Sequence, residues 1–141
     1  MGMIVTFALA LFVCTTFIHF EVLRMLSMLL PSIRLTARAK LVVVIFGEFL
    51  AHIIEIILYA LAIYGLVRYM GHGALEEISR FSMSACIYFS AETYTSLGYG
   101  DILPGGALRL LAGVEALNGL LLIGWSASYT YITMERFWRT T

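Results

Sequence analysis

Residues 93–101 read Thr93-Tyr94-Thr95-Ser96-Leu97-Gly98-Tyr99-Gly100-Asp101. Two glycines flank one tyrosine, and glycine enters backbone conformations closed to other residues. Such a segment can turn successive carbonyls toward one side. Several copies set around an axis would stack rings of oxygen that replace the water shell of a bare cation, and Ser96 would add a ring of hydroxyls at one end. The preceding residues 81–95 are moderately apolar and rich in Ser, Ala and Tyr. They are too short to cross a bilayer, which takes about 20 apolar residues. They predict a re-entrant half-helix, which lipid tolerates only where protein or a water-filled cavity surrounds its end. Its C-terminal end carries partial negative charge and would face the cavity below.

Working outward, three stretches are long and apolar enough to span: residues 3–30, 41–67 and 107–134. Each exceeds the minimum, so tilt is expected. The composition agrees. Of 141 residues, 61% are hydrophobic and 13% charged, with a mean hydropathy of +0.92. A soluble domain of this size needs more polar surface than that. The formal net charge of +0 gives no footing for a nucleic-acid partner. Cys14 and Cys86 lie in apolar stretches with no metal-ligand or disulfide spacing. Met1-Gly2-Met3 has no basic residue ahead of the apolar run and no small-residue cleavage site after it. The first span is therefore expected to be retained rather than cleaved as a leader.

Topology follows from the basic residues. Arg34, Arg38 and Lys40 lie between the first two spans, with Pro31 marking a turn, and Arg136 and Arg139 follow the third. The positive-inside tendency places both groups in the cytoplasm. The N-terminus is then outside, the C-terminus inside, and the loop from Arg68 to Ala107 external. Arg68, Glu76, Glu77 and Arg80 read as a solvated turret, with Gly71, His72 and Gly73 beside them. Trp125, Phe137 and Trp138 read as packing and interfacial anchors.

The segment Ser96-Leu97-Gly98-Tyr99-Gly100-Asp101, after a half-helix and between two spans, resembles the selectivity filter of the potassium-channel pore family. The resemblance covers residues 41–134. It implies a pore domain at 41–141, with outer helix 41–67, turret 68–80, pore helix 81–95, filter 96–101 and inner helix 107–134. Residues 1–40 would form an additional N-terminal transmembrane helix and a basic loop. It further implies an all-α homotetramer in the plasma or inner membrane that passes K⁺ without catalysis or cofactor. The ion would bind the carbonyls of Leu97, Gly98 and Tyr99 and the oxygens of Ser96, with Gly100 at the outer end. Ser96 stands where the family usually has threonine, and Leu97 where it has valine. By the same resemblance Tyr99 would pack on Tyr88 and Phe89, and Glu92 would sit behind the filter and share a proton with Asp101. Asp101-Ile102-Leu103-Pro104 matches the usual exit from the filter. Gly119 falls one residue from the family's hinge glycine, and a one-residue slip rotates a helix by about 100°. Two faces of the last span therefore remain candidates for the cavity wall. One carries Ala116, Leu120, Ile123, Ala127 and Tyr131; the other carries Glu115, Gly119, Leu122 and Ser126. A non-selective cation channel and a non-conducting accessory subunit are the alternative readings.

Ionisable residues inside the spans need partners or a function. Glu48, His52 and Glu55 share one helical face by their spacing. His19, Glu21 and Arg24 lie in the inner half of the first span, and Glu115 and Asn118 in the outer half of the third. Matched depths pair Arg24 with Glu48, His19 and Glu21 with His52, and Glu55 with Asn118. An interhelical network tying the first helix to the rest is expected. Glu and His at these spacings also suit a metal or proton site.

Overall fold

The computed structural model describes residues 2–71, 73–76 and 80–138, without the side chain of Trp138. His72, Glu77 and Arg139, assigned above to the turret and the cytoplasmic end, lie outside the described residues, as does the Trp138 ring. The element order is α1 (Gly2–Ser32), α2 (Ala37–Met70), β1 (Ala74–Glu76), α3 (Met83–Tyr94), β2 (Leu103–Gly105) and α4 (Leu108–Trp138).

Three helices, α1, α2 and α4, are long and apolar enough to cross a membrane. At 1.5 Å per residue each is roughly 45–50 Å long, against a hydrocarbon core of about 30 Å. They overrun the expected boundaries because local capping sets the ends. Pro31 lies inside the last turn of α1 instead of ending it. A proline so close to a helix end sacrifices little of the ladder, and the Ser32 hydroxyl donates back to the Leu29 carbonyl at 2.8 Å. Thr36 caps α2 by accepting the Ala39 N–H at 3.3 Å, so that helix begins four residues early. Gly71, left-handed at φ 62°, closes it by donating to the Leu66 carbonyl.

The short helix α3 occupies 83–94 rather than 81–95. Ser82 accepts the Ala85 N–H at 3.2 Å and fixes its start. The loop between α2 and α3 carries β1, which pairs antiparallel with β2 beyond α3, Leu75 opposite Pro104, a departure from the all-α expectation that the sequence did not announce. Three-residue strands are too short to show a period. The pair ties the loop after α2 to the chain just after Asp101.

α1 packs on α2 and α4, and α3 sits between α2 and α4. Tyr59, Ile63, Cys86, Phe89, Tyr94 and Leu111 are fully buried around α3. Outside this core, Phe17, Phe46, Leu50 and Ile132 are largely exposed, as lipid-facing side chains are. Lipid gives helices no hydrophobic reason to associate, so close approach and polar contacts must hold them. Gly47 supplies the first: a β-carbon there would come within 3.0 Å of Leu26.

Candidate functional site

Helix α3 ends in a Schellman motif. The Ser96 N–H donates to the Thr93 carbonyl and the Leu97 N–H to the Glu92 carbonyl, both at 3.1 Å. Ser96 holds the left-handed position at φ 54°, which glycine usually fills. Gly98 follows with φ 105°, while Leu97 and Tyr99 between and after them keep negative φ. Alternating handedness turns successive N–H groups to one side and carbonyls to the other. Among the described residues, no backbone hydrogen bond of the turns and loops ends on the carbonyls of residues 96–100. The stretch 95–101 is exposed throughout, and Leu97, an apolar side chain, is 80% exposed.

Behind this segment the Tyr99 ring stacks on Phe89, with centroids 5.6 Å apart and planes 3° from parallel. Tyr88 does not join that stack. Its hydroxyl turns to Glu92 and Asp101, and the hydrogen bond to Glu92 is the main reason its pKa is pushed up to about 12. Glu92 and Asp101 are thus linked through a phenol. Glu92 is buried and its Oε1 would lie 3.3 Å from a β-carbon at Gly100, so glycine there lets the carboxyl reach the backbone.

Further inside lies a polar cluster joining four helices. His19 Nδ1 is 3.0 Å from Glu55 Oε1, and His52 Nδ1 is 3.1 Å from Glu55 Oε2. Tyr94, the last residue of α3, donates its hydroxyl to Glu55 Oε2 and lies 2.9 Å from His52 Nδ1. His52 Nε2 and His19 Nε2 lie 3.0 and 3.2 Å from the Ser126 hydroxyl of α4. His19 and Glu55 are fully buried, and the His52 side chain is 17% exposed.

The other intramembrane residues divide. Asn118 donates from Nδ2 to Thr15 at 2.7 Å and to Tyr59 at 3.0 Å, and does not meet Glu55. Glu115 accepts from Ser90, whose hydroxyl also lies 2.9 Å from the Ile56 carbonyl. The Arg24–Glu48 pairing does not form. Glu48 accepts from Thr130 at 2.7 Å, while Arg24 and Glu21 bridge each other at 3.0 Å on the outer face of α1. A neighbour one turn away on the same helix needs no interhelical fit, and charges there reach the interface. Tyr94, Ser126, Thr130, Thr15, Tyr59 and Ser90 were not among the expected members. One signal was available for two of them: Thr15 is four residues before His19, and Ser126 lies on the same face as Glu115, Gly119 and Leu122.

That face of α4 is packed inside the chain. Glu115, Gly119, Leu122 and Ser126 are all buried, whereas Leu120, Ile123, Ala127 and Tyr131 are exposed. Helix α4 runs unbroken through Gly119. A β-carbon there would overlap the Tyr94 carbonyl oxygen and stand 2.8 Å from its carbon, so close approach of α4 to the end of α3 requires glycine.

A family model described as an ion channel matches residues 51–136. No curated protein and no solved structure matches the chain. The matched residues hold most of α2, all of α3, the exposed 96–101 segment and nearly all of α4; α1 precedes them. With three helices fit to cross a bilayer and a family model covering more than half its length, the chain is a multi-pass membrane protein belonging to the ion-channel family.

Proposed function

We propose that four copies of this chain form a potassium-selective channel, with residues 96–100 as the filter, α3 as a re-entrant pore helix and α4 as the inner helix. The observation that carries this reading is the exposed run Ser96–Gly100. Its φ is positive at Ser96 and Gly98 and negative at Leu97 and Tyr99, no loop hydrogen bond among the described residues ends on its carbonyls, and it is held at the end of a capped short helix between two spans. One chain offers a quarter of each oxygen ring, so the ion's shell is complete only with fourfold symmetry. The exposed Leu97 supports this reading, since an apolar side chain at a channel's heart needs neighbouring subunits to cover it. The buried face of α4 leaves Ala116, Leu120, Ile123, Ala127 and Tyr131 for the cavity wall. Basic residues after α1 and α4 favour a cytoplasmic C-terminus and an external turret.

Potassium flux into liposomes holding the purified chain tests the proposal. The expected result is K⁺ uptake that exceeds Na⁺ uptake at least about 100-fold and vanishes in Gly98→Asp, whose side chain cannot sit at φ 105° in a narrow oxygen cage. Equal Na⁺ and K⁺ uptake, or none, would overturn it.

A further inference from the structure

We infer that His19, His52, Glu55 and Tyr94 form a binding site for a divalent transition-metal ion of the zinc class, buried between α1, α2 and the end of α3. The inference concerns binding and does not depend on which ion permeates.

The first argument is convergence. One ligand atom each from His19, His52 and Glu55 lies within 4.8 Å of the others. His19 Nδ1 lies 3.0 Å from Glu55 Oε1 and His52 Nδ1 lies 3.1 Å from Glu55 Oε2, and the Tyr94 hydroxyl joins at 2.9 Å from His52 Nδ1. Zinc bonds of about 2.0–2.1 Å in a tetrahedron put ligands roughly 3.3–3.4 Å apart. Widening the close pairs by a few tenths of an ångström and drawing in the widest, up to 4.8 Å apart, would admit the ion. Two imidazoles and a carboxylate are a donor set zinc takes.

The second argument is hydrogen counting. Six close contacts hold the cluster together: three to Glu55, from His19, His52 and Tyr94, two between the rings and Ser126, and one between His52 Nδ1 and the Tyr94 hydroxyl. With an ionised carboxylate and two neutral rings, each ring, the phenol and the serine supply one hydrogen apiece. That is four hydrogens for six contacts, so even with the His52 hydrogen shared between Glu55 and Tyr94 one contact lacks a hydrogen, a place that a proton or a metal ion would fill. A metal on the Nδ1 side removes the shortfall. Both rings then carry their hydrogen at Nε2, and both donate to Ser126, whose oxygen has two lone pairs. Ligating histidines usually need such an outer partner to fix their tautomer.

A single added proton would also fill the shortfall. Charge favours the divalent ion. Glu48, one turn before His52, interacts electrostatically with both rings. It is buried, and its Oε1 has no hydrogen-bond partner among the described residues. A divalent ion would be balanced by the two carboxyls once both are ionised beside it. The acidic groups facing the rings are Glu48 and Glu55 of α2; α3 contributes the Tyr94 phenol and α4 the Ser126 hydroxyl.

The test uses the purified full chain, stripped with a chelator and titrated with ZnCl₂ against a fluorescent zinc indicator. The bound metal is counted by mass spectrometry. One zinc per subunit at roughly micromolar affinity or tighter is expected, with a rise in melting temperature. Glu55→Gln and His19→Ala should each weaken binding at least tenfold, and Ser126→Ala about tenfold through the ring tautomers. Glu21→Gln, on the exposed face of α1, should leave affinity unchanged and controls for folding. Absence of stoichiometric zinc overturns the site, as does equal affinity in Glu55→Gln and His19→Ala. If no zinc binds and the melting temperature depends on pH in the wild type but not in His52→Ala, the missing cation is a proton.

Discussion

Ser96 occupies a backbone position that costs a non-glycine residue about 1 kcal/mol, yet it carries the hydroxyl that would line the inner end of the filter. Ser96→Gly separates the two roles. The melting temperature should stay level or rise, by the equivalent of up to about 1 kcal/mol, while K⁺ over Na⁺ selectivity falls. A clear drop in melting temperature would mean that the hydroxyl contributes more to the fold than the strain subtracts. Tyr88 lies near the other end of the same segment, beside Gly100. Its phenol donates to Glu92, and its pKa is raised from an ordinary value near 10 to about 12. The support it gives is therefore complete below pH ~10 and lost as the pH climbs through about 12. Physiological pH does not switch it, so substitution is the probe. In Tyr88→Phe, channel currents recorded from planar bilayers should decay about tenfold faster, on the scale of one lost charge-assisted hydrogen bond. Unchanged decay would show that Glu92 and Asp101 hold the filter without the phenol. The two carboxyls were expected there only through the family resemblance. Which tyrosine would meet them was not legible, because Tyr88 and Tyr99 differ only in where the folded backbone aims them.

At the scale of elements, the end of α3 is set from both sides. Its Schellman turn satisfies the Thr93 and Glu92 carbonyls, and α4 presses Gly119 onto the Tyr94 backbone. Gly119→Ala should push the two helices apart. Overpacking of this kind costs about 1–3 kcal/mol or more, and the shift falls two residues from Ser96. Lower thermal stability and loss of K⁺ flux are expected together. Gly113→Ala provides the comparison, since a β-carbon there meets nothing within 4 Å; it should keep both stability and flux. Wild-type behaviour in Gly119→Ala would show that neither a close contact nor a hinge needs glycine at this position. Sequence spacing could not decide between hinge and contact, because both ask for glycine and the difference lies in the facing helix. The spans themselves were plain in the hydropathy, and only their ends moved. Thr36, Ser82 and Gly71 are ordinary loop residues until the cap they make is seen.

Across the whole molecule, one helical rotation decides what the chain can present to its copies. Spacing put Glu48, His52 and Glu55 on one face, but their partners on α1, α3 and α4 depend on how each helix is turned about its axis. Depth-matching therefore brought His19 and His52 together and mispaired Arg24, Glu21, Glu48 and Asn118. The same rotation buries Glu115, Gly119, Leu122 and Ser126 and turns Leu120, Ile123, Ala127 and Tyr131 outward. Adjacent positions then make the sharpest test of the assembled pore. Cys14 is exposed and Cys86 buried, so Cys14→Ser gives a quiet background. In that background Ile123→Cys should be modified by a charged, water-soluble thiol reagent, and K⁺ flux should fall to less than about a tenth, since a cation fixed beside the ion path opposes permeation across a low-dielectric cavity. Leu122→Cys, only 2% exposed against 37% for Ile123, should neither react nor lose flux. The reverse pattern would mean that α4 turns by about one residue when the subunits assemble. Reaction without block at Ile123→Cys would place that face against solvent outside the conduction path, and the cavity wall would have to be sought elsewhere on α4.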